Sequence, residues 1–157
     1  MKTKFFKILL GVTLFSILIS SNLYSQDNWW KEKKHKDVKS KIKYDDCKNT
    51  FKDIGAGFNY SNINSISRYF DEQVYLNIIS FEIGYYSSNQ AESIISNFMD
   101  YFKVISFKYS RSYCKNSFAF ATGKYKYDIG GGVRELQVSV SLLYNEDRWL
   151  IDQIAIN

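Results

Sequence analysis

The sequence predicts an α+β domain: three helices packed on a strongly curved, mainly antiparallel sheet of about six strands. Three observations predict it. From Phe107 to Ile156, bulky and polar side chains alternate in four consecutive runs separated by turn residues. Before them, apolar residues recur at spacings of three and four, the period of a helix face. Helical stretches gather early and strands late, which is the order of an α+β fold and not of alternating βαβ units.

The first helix is predicted over Asp45–Asn59, where Cys47, Phe51, Ile54 and Phe58 make one apolar face. Gly55 and Gly57 weaken it, and their small size suits a close approach to the sheet. Asn62 is placed to cap a short second helix, with Ile63, Ile66, Tyr69 and Phe70 as its apolar side. Val74, Leu76 and Ile78 then alternate with Tyr75 and Asn77 as a strand. Ser80 and Phe81 turn the chain into a short strand, Glu82–Ser87. A third helix is predicted over Ser88–Tyr101, with Asn89 and Glu92 at capping-box spacing.

The final strands are predicted over Phe107–Tyr113, Phe118–Tyr127, Leu136–Leu142 and Trp149–Ile154. Lys115–Ser117, Gly130–Gly132 and Asn145–Asp147 turn the chain between them. Gly130–Gly132 joins strand to strand with no helix after it, so it is a hairpin turn and not a phosphate loop. Leu136, Val138, Val140 and Leu142 share one face of their strand; Gln137, Ser139 and Ser141 occupy the other, which is either solvated or meets a second copy.

Ahead of this domain the chain is organised differently. Lys2, Lys4 and Lys7 precede a twelve-residue apolar run, Ile8–Ile19, and a polar flank with a cleavage point at Ser25–Gln26. That is the build of a secretory signal, and the run is shorter than the ~20 residues of a membrane span. Residues 1–25 are therefore expected to direct export to the periplasm or beyond, with no transmembrane segment left after cleavage. Residues 26–44 are expected to form a flexible basic leader carrying Trp29, Trp30 and seven lysines. The domain is expected to fill 45–157. From Asp45 onward, 11 Lys and Arg face 13 Asp and Glu, a net charge of about −2, which argues against a nucleic-acid surface.

Two cysteines remain, Cys47 and Cys114, with 66 residues between them. In an exported protein they form one disulfide or stay as two buried thiols; spacing does not choose. No cysteine–histidine spacing fits a metal, and no cofactor motif is present. The one histidine, His35, lies in the leader, which excludes a Ser-His-Asp or Cys-His arrangement within the domain.

Three segments carry a resemblance: Ser65–Leu76, Tyr86–Phe98 and Asp147–Ile154. Together with the element order, they resemble the nuclear transport factor 2-like fold, a cone of curved sheet closed by three helices. More narrowly, they resemble a family of short exported bacterial domains of unknown function. The resemblance implies that any enzyme of this kind would hold a carboxylate base inside the cone. Asp152 and Glu82 are the acids to consider, with Tyr69, Tyr75 and Tyr113 as aromatic or hydroxyl partners and Arg111 as an anion holder. The face Asp152 presents depends on a bulge near Gln153, and Arg111 has Glu135 as a candidate cross-strand partner.

No acid, base and donor set assembles from spacing alone. The leading expectation is an exported, non-catalytic domain binding a small apolar ligand or a protein partner, with Tyr69, Tyr75, Arg111, Tyr113 and Asp152 as pocket candidates. The alternatives are an isomerase- or hydrolase-like enzyme and a surface-binding domain acting through its Lys/Trp leader. The resemblance also implies a homodimer through the sheet.

Overall fold

The computed structural model describes residues 31–79 and 82–157. The export signal, the cleavage point, Trp29, Trp30 and the turn at Ser80–Phe81 lie outside the described residues. The chain divides into two units, Met1–Lys41 and Ile42–Asn157. In the first, residues 31–41 are solvent-exposed and belong to a helix, α1 (Lys2–Asn59), where a flexible leader was expected. Glu32 and Lys36 pair at 3.0 Å along it, the i,i+4 arrangement that supports an exposed helix.

The second unit holds the rest of α1, then α2 (Asn64–Ser67), β1 (Phe70–Ile78), β2 (Glu82–Ser87), α3 (Ser88–Tyr101), β3 (Val104–Cys114), β4 (Phe118–Ile129), β5 (Gly132–Asn145) and β6 (Arg148–Ile156). The six strands form one mixed sheet in the order β2-β1-β6-β5-β4-β3. The four last strands pair antiparallel in succession, as a meander. β1 pairs antiparallel with β2 and parallel with β6, so the first strand closes against the last.

The predicted apolar stripe of α1 is the buried one: Cys47, Phe51, Ile54 and Phe58 are all in the core. The residues between them that face away stay wet, so the helix forms because one face has a sheet to cover. Each such side chain contributes roughly 1.5–3 kcal/mol when fully buried. The helix ends where Asn59 Oδ1 accepts a hydrogen bond from the Phe107 amide at 2.8 Å, which ties it to β3. Gly55 faces Tyr109, where a Cβ would lie 3.0 Å from the ring, so the expected close approach of helix and sheet is made here.

α2 is shorter than predicted. It ends at Ser67 because Phe70 is already in the sheet, opposite Ile151. α3 matches its predicted span, but its capping box is two residues earlier than expected. Ser87 donates from both its amide and its Oγ to Gln90 Oε1, at 3.1 and 2.9 Å. In the β4–β5 hairpin, Gly130 and Gly131 take φ of +61° and +81°, as a two-residue primed turn demands.

The β1–β6 pairing shifts register between Phe70 and Tyr75, and in the antiparallel pairings three single residues drop out. Ile105 and Ser110 are extra on β3 against β4, and Asp152 is extra on β6 against β5. Each is a bulge, and each exchanges the faces of the residues beyond it.

Candidate functional site

Among the described residues, aromatic side chains pack against one another between helices and sheet. Phe58 packs on Phe107 with ring centroids 5.1 Å apart and on Tyr125 at 6.3 Å, and Phe98 packs on Tyr125 at 5.4 Å. Tyr125 is fully buried, and its hydroxyl donates to the Phe102 carbonyl at 2.7 Å. Phe107 lies across Gly123, where a Cβ would come within 2.8 Å of its ring. The Tyr109 hydroxyl is buried with no hydrogen-bond partner among the described residues, and burial holds it protonated.

The pocket candidates do not converge on this interior. Alternation along Phe107, Tyr109, Arg111 and Tyr113 had placed all four on one face. The Ser110 bulge breaks that alternation: Phe107 and Tyr109 face the core, whereas Arg111 and Tyr113 are exposed, opposite Thr122 and Phe120. Arg111 also cannot pair with Glu135, because β4 lies between their strands; Glu135 instead binds Lys124 at 2.7 Å. The same bulge returns Cys114 toward the core. There it is bridged to Cys47, with Cα atoms 6.3 Å apart.

Asp152 is itself a bulge residue. It is half-buried, and its Oδ1 has no hydrogen-bond partner among the described residues. Burial raises its pKa above the ordinary carboxylate value; its own amide opposes this, the charge of Asp71 adds to it, and the Gln153 amide opposes it. Glu82 lies on the surface and accepts a hydrogen bond from Tyr86 at 2.6 Å. His35 is exposed on the first unit.

Tyr69 lies in a different place, on an open cleft of about 370 Å³ between α1, the α2–β1 junction and the tip of the β5–β6 hairpin. Its hydroxyl donates to Asp53 Oδ2 at 2.7 Å, and Arg68 donates to the same oxygen at 2.6 Å. Burial and the bond to Asp53 raise the Tyr69 pKa; Arg68 opposes them. Asp46, Asn49 and Asp147 line the cleft with Arg148, which makes no ion pair among the described residues. The hairpin tip holds Glu146 and Asp147 at φ +47° and +62°, a left-handed turn built without glycine.

The other face of the sheet presents residues in rows across the strands. One row runs Tyr113, Phe120, Ser141, Gln153, Tyr75, Tyr85 and crosses all six strands through successive pairings. All six are exposed or half-buried. Tyr113 and Phe120 lie 5.9 Å apart at one end, and Tyr75 and Tyr85 5.0 Å apart at the other. The adjacent row runs Arg111, Thr122, Ser139, Ala155, Asn77, Ile83. Beside Phe120, Phe118 and Leu143 are also exposed, with Leu150 buried next to them. Period-two patterning carried these faces in the sequence, but the pairing that aligns them did not show there.

A family model for a domain of unknown function, DUF4783, matches residues 51–157. The chain belongs to the DUF4783 family. Among solved structures, a DUF4783 protein from Bacteroides uniformis is similar at 20% identity and a TM-score of 0.62, over 68% of this chain and 94% of that one. One from Bacteroides fragilis is similar at 22% identity and 0.58, over 66% and 93%. A putative dehydratase of the NTF2-like family from Streptomyces avermitilis shares 9% identity at 0.57, over 74% and 95%. At these identities the likeness is one of fold, and the fold is nuclear transport factor 2-like, as the three quoted segments implied. No curated protein matches the chain. Both rows of the DUF4783 domain lie inside the matched segment, whereas Cys47 lies just ahead of it.

Proposed function

We propose that the chain is an exported, non-catalytic binding domain that works with the outside of its sheet and not with a cavity inside the cone. The observation that carries this is the division of aromatic side chains. Phe58, Phe98, Phe107 and Tyr125 fill the interior against one another, while Tyr75, Tyr85, Tyr113 and Phe120 stand on the open face. A filled interior leaves no room for the small apolar ligand expected from the sequence, and aromatic rings on a surface are the usual anchors of recognition. Three bulges support a strongly curved sheet, since each bends its strand. Export is supported by the N-terminal pattern of residues 1–25 and agrees with a disulfide, which persists in an oxidising compartment.

The native mass of the protein purified from a periplasmic extract tests the filled interior. The bare polypeptide less two hydrogens is expected. A retained small molecule that survives dialysis would overturn it.

A second reading rests on Asp152, whose raised pKa beside Asp71 suits a general acid. It would make the domain an isomerase- or hydrolase-like enzyme. Its test is turnover lost in Asp152→Asn with folding intact.

A further inference from the structure

We infer that the open sheet face is a binding platform for a neutral polysaccharide chain lying across the strands. This rests on the exterior reading above and names the partner for it. The row from Tyr113 to Tyr85 is straight in the pairing scheme and spans six strands. At ~4.8 Å per strand it is about 24 Å long, enough for several linked sugar rings.

Its chemistry is ordered. Aromatic rings stand at both ends, Tyr113 with Phe120 and Tyr85 with Tyr75. The middle is Ser141 and Gln153, flanked in the next row by Thr122, Ser139 and Asn77. The face of an aromatic ring is electron-rich and meets the weakly positive C–H groups of a pyranose. Hydroxyl and amide side chains both donate and accept, as sugar hydroxyls require.

Charge narrows the partner further. The two rows hold one charged side chain, Arg111, in a chain that is 24% charged. Beyond Thr122 on the same face, Lys108 and Lys124 stand opposite each other, with Lys124 held by Glu135 at 2.7 Å, so the charge lies beside the two rows and not in them, and a cationic peptide finds no carboxylate within them. A second copy fits less well than a sugar chain. Stable protein interfaces have an apolar core and a polar rim, and these rows have the reverse, a polar middle between aromatic ends. Phe118 and Leu143 extend the aromatic end on β4 and β5 and leave the middle unchanged.

The test is calorimetric titration of the bridged protein with three neutral probes, cellohexaose, xylohexaose and maltohexaose, beside hexagalacturonate. At least one neutral hexaose is expected to bind with a dissociation constant on the order of 0.1–1 mM, and hexagalacturonate more weakly. Tyr85→Ala and Tyr113→Ala, both at exposed positions, should each weaken that binding about tenfold. If no neutral hexaose binds, the polysaccharide is wrong; self-association lost in the same variants would then keep the exterior face and assign it to a second copy. If a hexaose binds equally well to both variants, the platform itself is wrong.

Discussion

Ser110 donates a hydrogen bond from its Oγ to the carbonyl oxygen of Thr122 at 3.0 Å, at the point where β3 loses step with β4. Every side chain beyond it is on the opposite face from the one simple alternation assigns. Tyr113 thereby reaches the open face and Cys114 the core side, where Cys47 waits.

Deleting Ser110 should restore alternation, turn Cys114 outward and separate the two cysteines. Thiol titration of the unreduced, denatured protein should then rise from none to two. A deletion variant that still yields no free thiol would contradict the role given to the bulge. Ser110→Ala keeps the extra residue, so it should retain the bridge and lose about 0.5–1.5 kcal/mol at most, read from the denaturant midpoint.

The bridge closes a loop of 67 residues, and a loop of that length restricts the unfolded chain by about 4 kcal/mol in the chain-entropy model. Cys47→Ala with Cys114→Ala should lower the unfolding free energy by about 2–5 kcal/mol. A change under about 1 kcal/mol would show that the unfolded chain gains little freedom when the bridge is removed.

The elements were legible because their signals are local. The stripe Cys47–Phe51–Ile54–Phe58 and the alternation of Val138, Val140 and Leu142 each lie within one element and are buried as patterned, with Leu136 partly buried at the edge of the core. One local signal misled: the cap of α3 lies two residues before Asn89, which has the same favoured spacing to Glu92 as Ser87 has to Gln90. What failed otherwise was non-local. Arg111 and Tyr113 were placed inside because a bulge leaves no mark in composition; Ser110 looks like any other polar strand residue. The parallel pairing of β1 with β6 decides which residues share the open row, and it joins residues some eighty positions apart, Tyr75 and Gln153.

Asp152 should set a pH dependence of stability. Its folded pKa is raised, mainly by burial, so the folded state holds its proton more tightly than the unfolded chain does. The stability this contributes is fully present below the ordinary carboxylate pKa and is lost as pH rises through the raised folded value. At neutral pH the charged, partly buried group therefore opposes folding. Asp152→Asn should be more stable than the parent at pH 7, and the two curves should converge as pH falls below about 4. Equal stability at pH 7, or a gap that widens in acid, would show that the carboxylate is satisfied after all.

The central claim is that the domain meets its partner with the open face while the interior stays packed, and its tyrosines report on both at once. Tyr75, Tyr85 and Tyr113 stand on that face, and Tyr109, Tyr125 and Tyr127 lie against the core. In protein labelled with fluorotyrosine, titration with the hexaose that binds best should move the fluorine resonances of the first three and leave the other three in place. Movement of Tyr109, Tyr125 and Tyr127 with the surface set unchanged would contradict it.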